Sequence, residues 1–268
     1  MKFGLIGHPI GHSLSPALFK AAFGGKYTYD LIQEEDFEKA YERFIKEYDA
    51  INVTAPFKEL AFRKSDTQSR ACCAIGAANI LTKDGNKTSA YNSDIQGVTG
   101  AISAAGIKSG ANEKALIVGC GGAAMAATYA MWNELGYDAV VINRNITKAE
   151  LFVKRMIQET GCEERISHAG LDHFNELFRQ SDVIIYTLPI AIPALDKLEL
   201  TGLGSKVILE ANYKDPAFTP EIIDRIKNMN PEIGFISGKE WLLHQAIGAY
   251  RHFVADEPDI DAMRKVIE

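Results

Sequence analysis

The feature that most constrains this chain is a glycine-rich turn between an apolar run and a helical pattern. Residues 114–118 read Lys-Ala-Leu-Ile-Val, typical of a buried strand, and Gly-Cys-Gly-Gly-Ala-Ala at 119–124 leads into an apolar helix reaching Leu135. Such a unit lets backbone N–H groups at the helix start approach a pyrophosphate that side chains would otherwise block. A tight turn without a ligand is the alternative. The turn predicts a Rossmann-like dinucleotide-binding domain.

The end of the next predicted strand indicates which dinucleotide is bound. An NAD site places Asp or Glu about 20 residues after the glycines, where it accepts from the ribose 2′-hydroxyl. Here the strand 139–142 ends in Asn143-Arg144-Asn145, and Thr147 and Lys148 follow. Arginine and lysine attract a 2′-phosphate, whereas a carboxylate would repel it. We therefore predict NADP, the alternative being that Arg144 is a solvated surface residue.

Short apolar runs alternate with helical patterns along the whole chain, which is typical of an α/β fold. The patterns predict strands at 2–6, 27–32, 50–53, 114–118, 139–142, 183–186, 207–210 and 233–236, with a hairpin over 80–90 about Asp84-Gly85. They predict helices at 15–23, 34–48 (with Phe37, Tyr41, Phe44 and Ile45 on one face) and 94–105, a linker at 108–113, and a last helix near 239–254. We expect an N-terminal α/β domain over 1–106, a Rossmann domain over 107–237, and a C-terminal segment, 238–268, whose helix packs back on the first domain.

Composition excludes several classes of protein. The 268 residues are 47% hydrophobic, and 29 Lys and Arg against 35 Asp and Glu give a net charge of −6, which argues against a nucleic-acid partner. No stretch resembles a signal peptide or a membrane span, so we expect a cytoplasmic protein. The four cysteines form no C-x-x-C pair and the six histidines lack metal-ligand spacing, so we expect neither disulfides nor a metal site. The cysteines are Cys72, Cys73, Cys120 and Cys162.

The first half carries polar residues just beyond its predicted strands. Ser13 and Ser15 flank a helix start, where hydroxyls, free N–H groups and the helix dipole can hold a carboxylate; Ser15 as a simple N-cap is the alternative. Lys58 follows a strand and a proline turn, and it could equally be a solvated lysine. Asp94 opens a helix and could be only its cap, but close to Lys58 it would form a proton-transfer pair.

Taken together, these segments closely resemble the shikimate dehydrogenase family over essentially the whole chain. The family's motifs have counterparts here in the same order: Ser13 and Ser15, Asn-Val-Thr-Ala-Pro-Phe-Lys at 52–58, Gly-Ala-Ala-Asn at 76–79, Asn-Ser-Asp at 92–94, Gly-Cys-Gly-Gly-Ala at 119–123 and Asn-Arg-Asn at 143–145. Near the C-terminus, Tyr213 and Gln245 are similar to a tyrosine and a glutamine that contact the family's substrate.

The resemblance implies reversible, NADP-dependent reduction of 3-dehydroshikimate to shikimate, in aromatic amino-acid biosynthesis. It implies Lys58 and Asp94 as catalytic residues, without deciding which is the base. The substrate-binding residues would be Ser13, Ser15, Thr54, Asn79, Tyr213 and Gln245. The cofactor-binding residues would be Gly119, Gly121, Gly122, Ala123, Asn143, Arg144, Lys148 and Gly238. A small-molecule substrate, a monomer or homodimer, and no nucleic-acid, membrane or metal partner complete the expectation.

The sequence also departs from the family pattern. The family's Asn-Ala-Thr-x-x-Gly loop, which flanks the nicotinamide, reads Tyr186-Thr187-Leu188-Pro189-Ile190-Ala191 here, so cofactor placement or turnover could differ. Ile80, Asn145 and the position of Pro216 are smaller departures. Three alternatives therefore stay open. They are a relative acting on quinate or an aminated analogue, a ligand-binding protein without turnover, and a folate-type dehydrogenase, for which the two serines would have no obvious use.

Overall fold

The computed structural model describes residues 1–107, 113–161, 165–254 and 256–268. The predicted linker, apart from Glu113, and Cys162 lie outside the described residues. The expected α/β alternation is confirmed. The described strands are β1 (Lys2–Gly7), β2 (Thr28–Gln33), β3 (Ala50–Val53), β4 (Thr67–Gln68), β5 (Ile80–Asp84), β6 (Lys87–Tyr91), β7 (Lys114–Val118), β8 (Asp138–Asn143), β9 (Ile166–Gly170), β10 (Val183–Tyr186), β11 (Lys206–Glu210) and β12 (Ile233–Ile236).

Helices lie between most of these strands, and two more follow the last strand. They are α1 (Ser15–Phe23), α2 (Phe37–Glu47), α3 (Lys58–Lys64), α4 (Arg70–Ile75), α5 (Asp94–Ala104), α6 (Gly122–Tyr129), α7 (Ile146–Thr160), α8 (Phe174–Gln180), α9 (Pro220–Met229), α10 (Gly238–Phe253) and α11 (Ile260–Ile267). A π-helical segment, Ala130–Glu134, continues α6, and 3₁₀ turns cover Leu171–His173 and Pro193–Lys197. In the part of the chain described, no helix is long and apolar enough to cross a membrane.

The chain divides into two compact units. The first contains Met1–Gly97 and Leu242–Glu268, and the second contains Val98–Trp241. These limits differ somewhat from the predicted boundaries of 1–106, 107–237 and 238–268. The functional roles of the predicted domains stay predictions.

The first unit is built on a sheet of order β2-β1-β3-β5-β6-β4. β1 pairs in parallel with β2 and β3, whereas β5 runs antiparallel to both β3 and β6. The β5–β6 hairpin pairs Asp84 with Lys87 and turns through Gly85, whose φ of +58° suits glycine.

Both faces of this sheet are buried, since alternate side chains point to opposite sides and join a different core on each. Ile6, Ile51 and Leu81 join a core with α2, α3 and α4, whereas Phe3 and Ile80 face a second core. That second core contains α1 together with α10 and α11. The Phe253 ring stacks on Phe3 with centroids 4.8 Å apart, which confirms the predicted return of the C-terminal segment to the first unit.

The second unit is a parallel sheet of order β12-β11-β10-β7-β8-β9. This order is that of a Rossmann fold, and it reverses direction between β7 and β10. Side chains of β7, β10 and β11 join Phe174 and Phe178 of α8 and Ile226 of α9 in one apolar core. The order confirms the predicted fold of this half.

Two sequence expectations about elements are wrong in detail. Ile45 of α2 is 38% exposed, and the residue buried beside Phe37 and Phe44 is Ala40, on the other flank of the helix. The C-terminal segment contains a second helix, α11, in addition to the single helix expected there, and Asp259 is its N-cap residue.

Candidate active site

The polar residues of the first unit gather at one edge of its sheet. β1, β3 and β6 run in the same direction, so the segments that follow them leave from the same edge. β5 runs the opposite way, so Asn79, directly before it, lies at that edge too. The sheet therefore collects the serine loop after β1, residues 54–58 after β3, Asn79, and residues 92–94 after β6.

Lys58 and Asp94 are in direct contact. The Lys58 Nζ donates to Asp94 Oδ2 across 2.6 Å, and the two side chains are 25% and 7% exposed. The solvated-lysine alternative is therefore wrong for Lys58. Asn92 Oδ1 accepts from the backbone N–H of Asp94 across 3.0 Å, which fixes the start of α5 where Asp94 stands. A cation and a carboxylate in direct contact can exchange a proton with a bound hydroxyl.

The side-chain amide of Asn79 has its oxygen in a hydrogen bond and its nitrogen available to a ligand. Its Oδ1 accepts from the Ser93 N–H across 2.8 Å, and the residue is 1% exposed. Its Nδ2 is buried without a hydrogen-bond partner in the described chain. Because a buried donor without an acceptor is unfavourable, this amide group is suited to a ligand oxygen.

The two serines contact one another at the start of α1. Ser13 Oγ donates to Ser15 Oγ across 3.1 Å and accepts from the Ser15 N–H across 3.2 Å. Leu14 occupies the N-cap position without a side-chain cap bond, and Ser15 is the first helical residue. The N-cap interpretation of Ser15 is therefore wrong, because its hydroxyl belongs to the serine pair.

Tyr29 extends this network and was not expected from the sequence. Its hydroxyl donates to Asn52 Oδ1 across 2.8 Å, and Asn52 Nδ2 donates to the Asn79 carbonyl across 3.3 Å. Ser15 also bonds the Tyr29 hydroxyl, whose pKa is raised chiefly by burial. No sequence signal marks this tyrosine, because its ring stacks on Phe19 as an ordinary core residue does.

Thr54 and Gln245 lie on elements that border this edge. The Thr54 methyl group packs so close to Gly7 that a Cβ at that glycine would overlap it. Gln245 is one helical turn before Gly248, and a Cβ at Gly248 would lie 3.0 Å from Gln96 Cβ and 3.2 Å from Ser93 Cβ. Glycine at 248 therefore lets α10 approach the start of α5, where Asp94 stands. Gln245 lies on the same face of α10 as Gly248.

The glycine turn of the second unit fits a dinucleotide phosphate. Gly119 has φ +117°, and a Cβ there would lie 2.5 Å from Thr187 Oγ1, so the fold itself requires this glycine. Gly121 and Gly122 are exposed, lack a positive φ, and have open space where a Cβ would stand. Neither packing nor backbone conformation explains them. Since Gly121 caps α6 without a side-chain bond, the open surface leaves helix N–H groups free for an anion, and Ala123 follows in the first turn.

The residues expected to choose NADP lie after β8. Arg144 is exposed and has no ion pair within the described residues. Lys148 is near enough to Cys120 of the glycine turn to oppose the burial that raises the thiol pKa to about 11. Asn143 Nδ2 donates to the Asn145 carbonyl across 3.1 Å, and Asn145 Oδ1 caps α7 by accepting from the Lys148 N–H. These bonds shape the turn that presents Arg144.

Three other predicted positions differ in character. Tyr213 lies in the second unit after β11, and burial raises its pKa. A Cβ at Gly238 would lie 2.7 Å from the carbonyl oxygens of Glu210 and Ala211, so close packing requires this glycine whatever it binds. Tyr186 is fully buried, and its ring points into the core of the second unit.

The structure describes no group of three or more His, Cys, Asp or Glu side chains arranged to hold a metal ion within the ranges given above. The roles of the predicted site residues stay predictions.

Comparison with known proteins places these features in a family. A family model described as the shikimate dehydrogenase substrate binding domain matches residues 5–81. A relative from Methanosarcina mazei, named shikimate dehydrogenase (NADP(+)), is 30% identical over 99% of this chain and 96% of its own. The crystal structure of Mycobacterium tuberculosis shikimate dehydrogenase is 28% identical, with a TM-score of 0.82 over 99% of this chain and 98% of that one.

A third comparison concerns the fold alone. The structure of quinate dehydrogenase from Corynebacterium glutamicum in complex with NAD has a TM-score of 0.85 over 99% of this chain and 98% of its own, at 20% identity.

An α/β unit with a lysine–aspartate pair and a Rossmann unit with an open glycine turn define a dinucleotide-binding α/β protein of the dehydrogenase class. More particularly, the chain belongs to the shikimate dehydrogenase family.

Proposed function

We propose that this protein catalyses the reversible, NADP-dependent reduction of 3-dehydroshikimate to shikimate. The observation that carries the proposal is the 2.6 Å contact between Lys58 and Asp94, placed by the sheet of the first unit beside donors suited to a polyhydroxylated acid. Membership of the family supports the same activity.

The first unit would hold the substrate. Ser13 and Ser15, at the start of α1, supply hydroxyl and N–H donors for the carboxylate. The unpartnered Asn79 Nδ2 would donate to a ring hydroxyl, and Thr54 and Gln245 would bind others. Contacts of this kind hold the reacting carbon in one orientation, which is a large part of the rate enhancement in such reactions.

Lys58 and Asp94 would handle the proton. NADP, when bound, supplies the hydride acceptor. As the carbon–hydrogen bond breaks with its electron pair, the hydroxyl on that carbon must lose its proton, and the pair lies ready to accept it. In the reverse direction, protonated Lys58 stabilises negative charge developing on the carbonyl oxygen.

The second unit would hold the cofactor. The open surface at Gly121 and Gly122 admits a pyrophosphate to the N–H groups of α6, and Gly119 and Ala123 complete that turn. Arg144 and Lys148 present positive charge where a carboxylate would select NAD.

The test is NADP reduction followed at 340 nm with the purified protein, comparing shikimate with quinate and NADP with NAD. We expect turnover with shikimate and NADP, and little with the other pairs. Preferred turnover of quinate would assign the protein to the quinate alternative, which the fold similarity at 20% identity neither favours nor opposes. Binding of both ligands without turnover would support the non-catalytic alternative.

We further propose a cytoplasmic enzyme that is a monomer or homodimer, with residues 1–106 and 238–268 serving the substrate and 107–237 the cofactor. The net charge of −6 supports a protein without a nucleic-acid partner. Light scattering coupled to size exclusion would establish the oligomeric state.

A further inference from the structure

Tyr186, the last residue of β10, has well-defined side-chain contacts but no role in the proposed hydride and proton transfer. The side chain is fully buried, and its ring meets Phe218 edge-on, with centroids 5.3 Å apart and planes at 89°. Hydrogen bonds to the backbone hold Phe218 in place. The buried Glu210 carboxylate accepts from the backbone N–H groups of Ala217 and Phe218. The position of the Tyr186 ring is therefore set by the core.

The Tyr186 hydroxyl reaches back to the loop that follows its own strand. It donates to the Ile190 carbonyl across 2.6 Å, and the Ile192 N–H bonds the same oxygen. Burial, and the nearby Glu210 carboxylate, raise the pKa of Tyr186 well above its usual value, so the hydroxyl keeps its proton and remains a donor. One fixed oxygen thus holds the loop Thr187–Ile192 at two backbone groups.

The loop that is held in this way is part of the wall of the glycine turn. Thr187 Oγ1 donates to the Val118 carbonyl across 2.7 Å, and the Thr187 N–H donates to the same carbonyl across 3.0 Å. A Cβ on Gly119 would lie 2.5 Å from Thr187 Oγ1 and 3.2 Å from Leu188. Any change in the path of this loop would therefore change the space around the turn.

The loop Thr187–Ile192 follows β10, and the position of that strand in the sheet indicates which part of a dinucleotide the loop would face. Strand order reverses between β7 and β10, and dinucleotides bind across the carboxyl ends of the strands at such a reversal. Phosphates bound at the turn after β7 would leave the loop after β10 on the other side of the reversal, where the redox half of the dinucleotide would extend. Ile190, at the tip of the loop, is 66% exposed, so the loop has little apolar packing of its own there.

We propose that Tyr186 is a positioning residue whose hydroxyl fixes the loop Thr187–Ile192 in the conformation that receives the nicotinamide half of NADP. The inference rests on the proposed function and adds a residue to it. Without the hydroxyl, the loop would sample other conformations, and cofactor binding would have to order it.

The experiment compares Tyr186→Phe with a matched control, Tyr137→Phe. Tyr137 is the same residue type, equally buried in the same unit, but its hydroxyl bonds Glu113 at the amino edge of the sheet, away from the glycine turn. Calorimetry would measure NADP and shikimate binding separately. For Tyr186→Phe we expect NADP to bind about 3- to 10-fold more weakly, the effect of one or two net hydrogen bonds, with shikimate binding unchanged. For Tyr137→Phe we expect both affinities unchanged.

Hydrogen exchange of the ligand-free proteins gives a second measurement. The Ile192 amide should exchange faster in Tyr186→Phe, whereas amides of β7 and β10 should keep their protection. Equal NADP affinity for the parent protein and Tyr186→Phe, or an unchanged Ile192 exchange rate, would overturn the proposed role of Tyr186 and leave the proposed function standing. Failure of the parent protein to bind NADP would overturn both.

Discussion

At the scale of single residues, the Lys58–Asp94 contact makes the most direct prediction. Lys58→Ala removes the cation that donates a hydrogen bond to Asp94, so we expect kcat to fall by about 10²- to 10⁴-fold, the usual contribution of a positioned acid or base. Steady-state rates with shikimate and NADP would measure it. Lys64→Ala is the matched control, because Lys64 lies on the same helix and pairs with exposed Glu38. An undiminished rate in Lys58→Ala would remove Lys58 from the mechanism.

A second residue-scale prediction concerns Arg144. Because its guanidinium is exposed and no acid within the described chain pairs with it, Arg144→Ala should weaken NADP binding by roughly 10-fold or more, as loss of a charge-assisted contact does. NAD, which lacks the 2′-phosphate, should be affected little. Titration of both cofactors measures the difference, with Lys154→Ala on the exposed face of α7 as control. Equal loss for both cofactors would show that Arg144 does not bind the 2′-phosphate.

Some features of the site were predictable from the sequence, whereas the contacts of two tyrosines were not. The pairing of Lys58 and Asp94 was expected from the family resemblance, and the sheet accounts for it, since β3 and β6 run in the same direction on either side of β5 and end at the same edge. The burial of Tyr186 was not, because a substituted family position indicates a different side chain but not the direction in which it points. The hydroxyl of Tyr29 was missed for a related reason: only the folded sheet, in which β1 lies between β2 and β3, brings this hydroxyl to the Asn52 side chain.

At the scale of elements, the packing of α10 against α5 depends on Gly248. In Gly248→Ala the new methyl group would lie 3.0 Å from Gln96 Cβ, so α10 and the start of α5 must separate by a few tenths of an ångström, which shifts Gln245 relative to Asp94. We expect KM for shikimate to rise several-fold, less than the ~10²-fold that a 1 Å displacement can cost, with NADP affinity unchanged. Arg251→Ala, which removes an exposed ion pair on the same helix, is the control. An unchanged KM would show that substrate binding by Gln245 does not depend on the packing of α10 against α5.

Long and regular elements were predictable, whereas short ones were not. Five of the six strands described in the Rossmann sheet follow directly from apolar runs, because strands buried on both faces need them. The sixth, the edge strand β9, reads Ile-Ser-His-Ala-Gly and is largely unburied, so no apolar run predicted it. The seven-residue α3 and the two-residue β4 offer too few residues for a period to show. α11 did carry a signal, with Asp259 as N-cap and Met263 and Ile267 buried four residues apart, but the sequence interpretation ended at the preceding helix.

At the scale of the whole molecule, chain order and spatial order differ. The last residues, Leu242–Glu268, belong to the unit formed by the first residues. The sequence predicted this return only in outline, because the length and apolar face of a helix do not say which residues it meets. In the structure, Phe253 stacks on Phe3 and also lies 5.3 Å from the Phe19 ring.

Phe253→Ala tests this arrangement. Loss of a buried phenylalanine typically costs about 3–5 kcal/mol, so amide exchange in β1 and α1 should accelerate strongly. β7, in the other unit, should keep its protection, because Phe253 belongs to a core formed entirely by residues of the first unit. Hydrogen exchange with mass spectrometry separates these segments, and Leu151→Ala, at a side chain 63% exposed in the second unit, should leave both patterns unchanged. Equal acceleration in β1 and β7 would show that the two units unfold as one, and protection retained in both would show that the C-terminal helix contributes little to the first core.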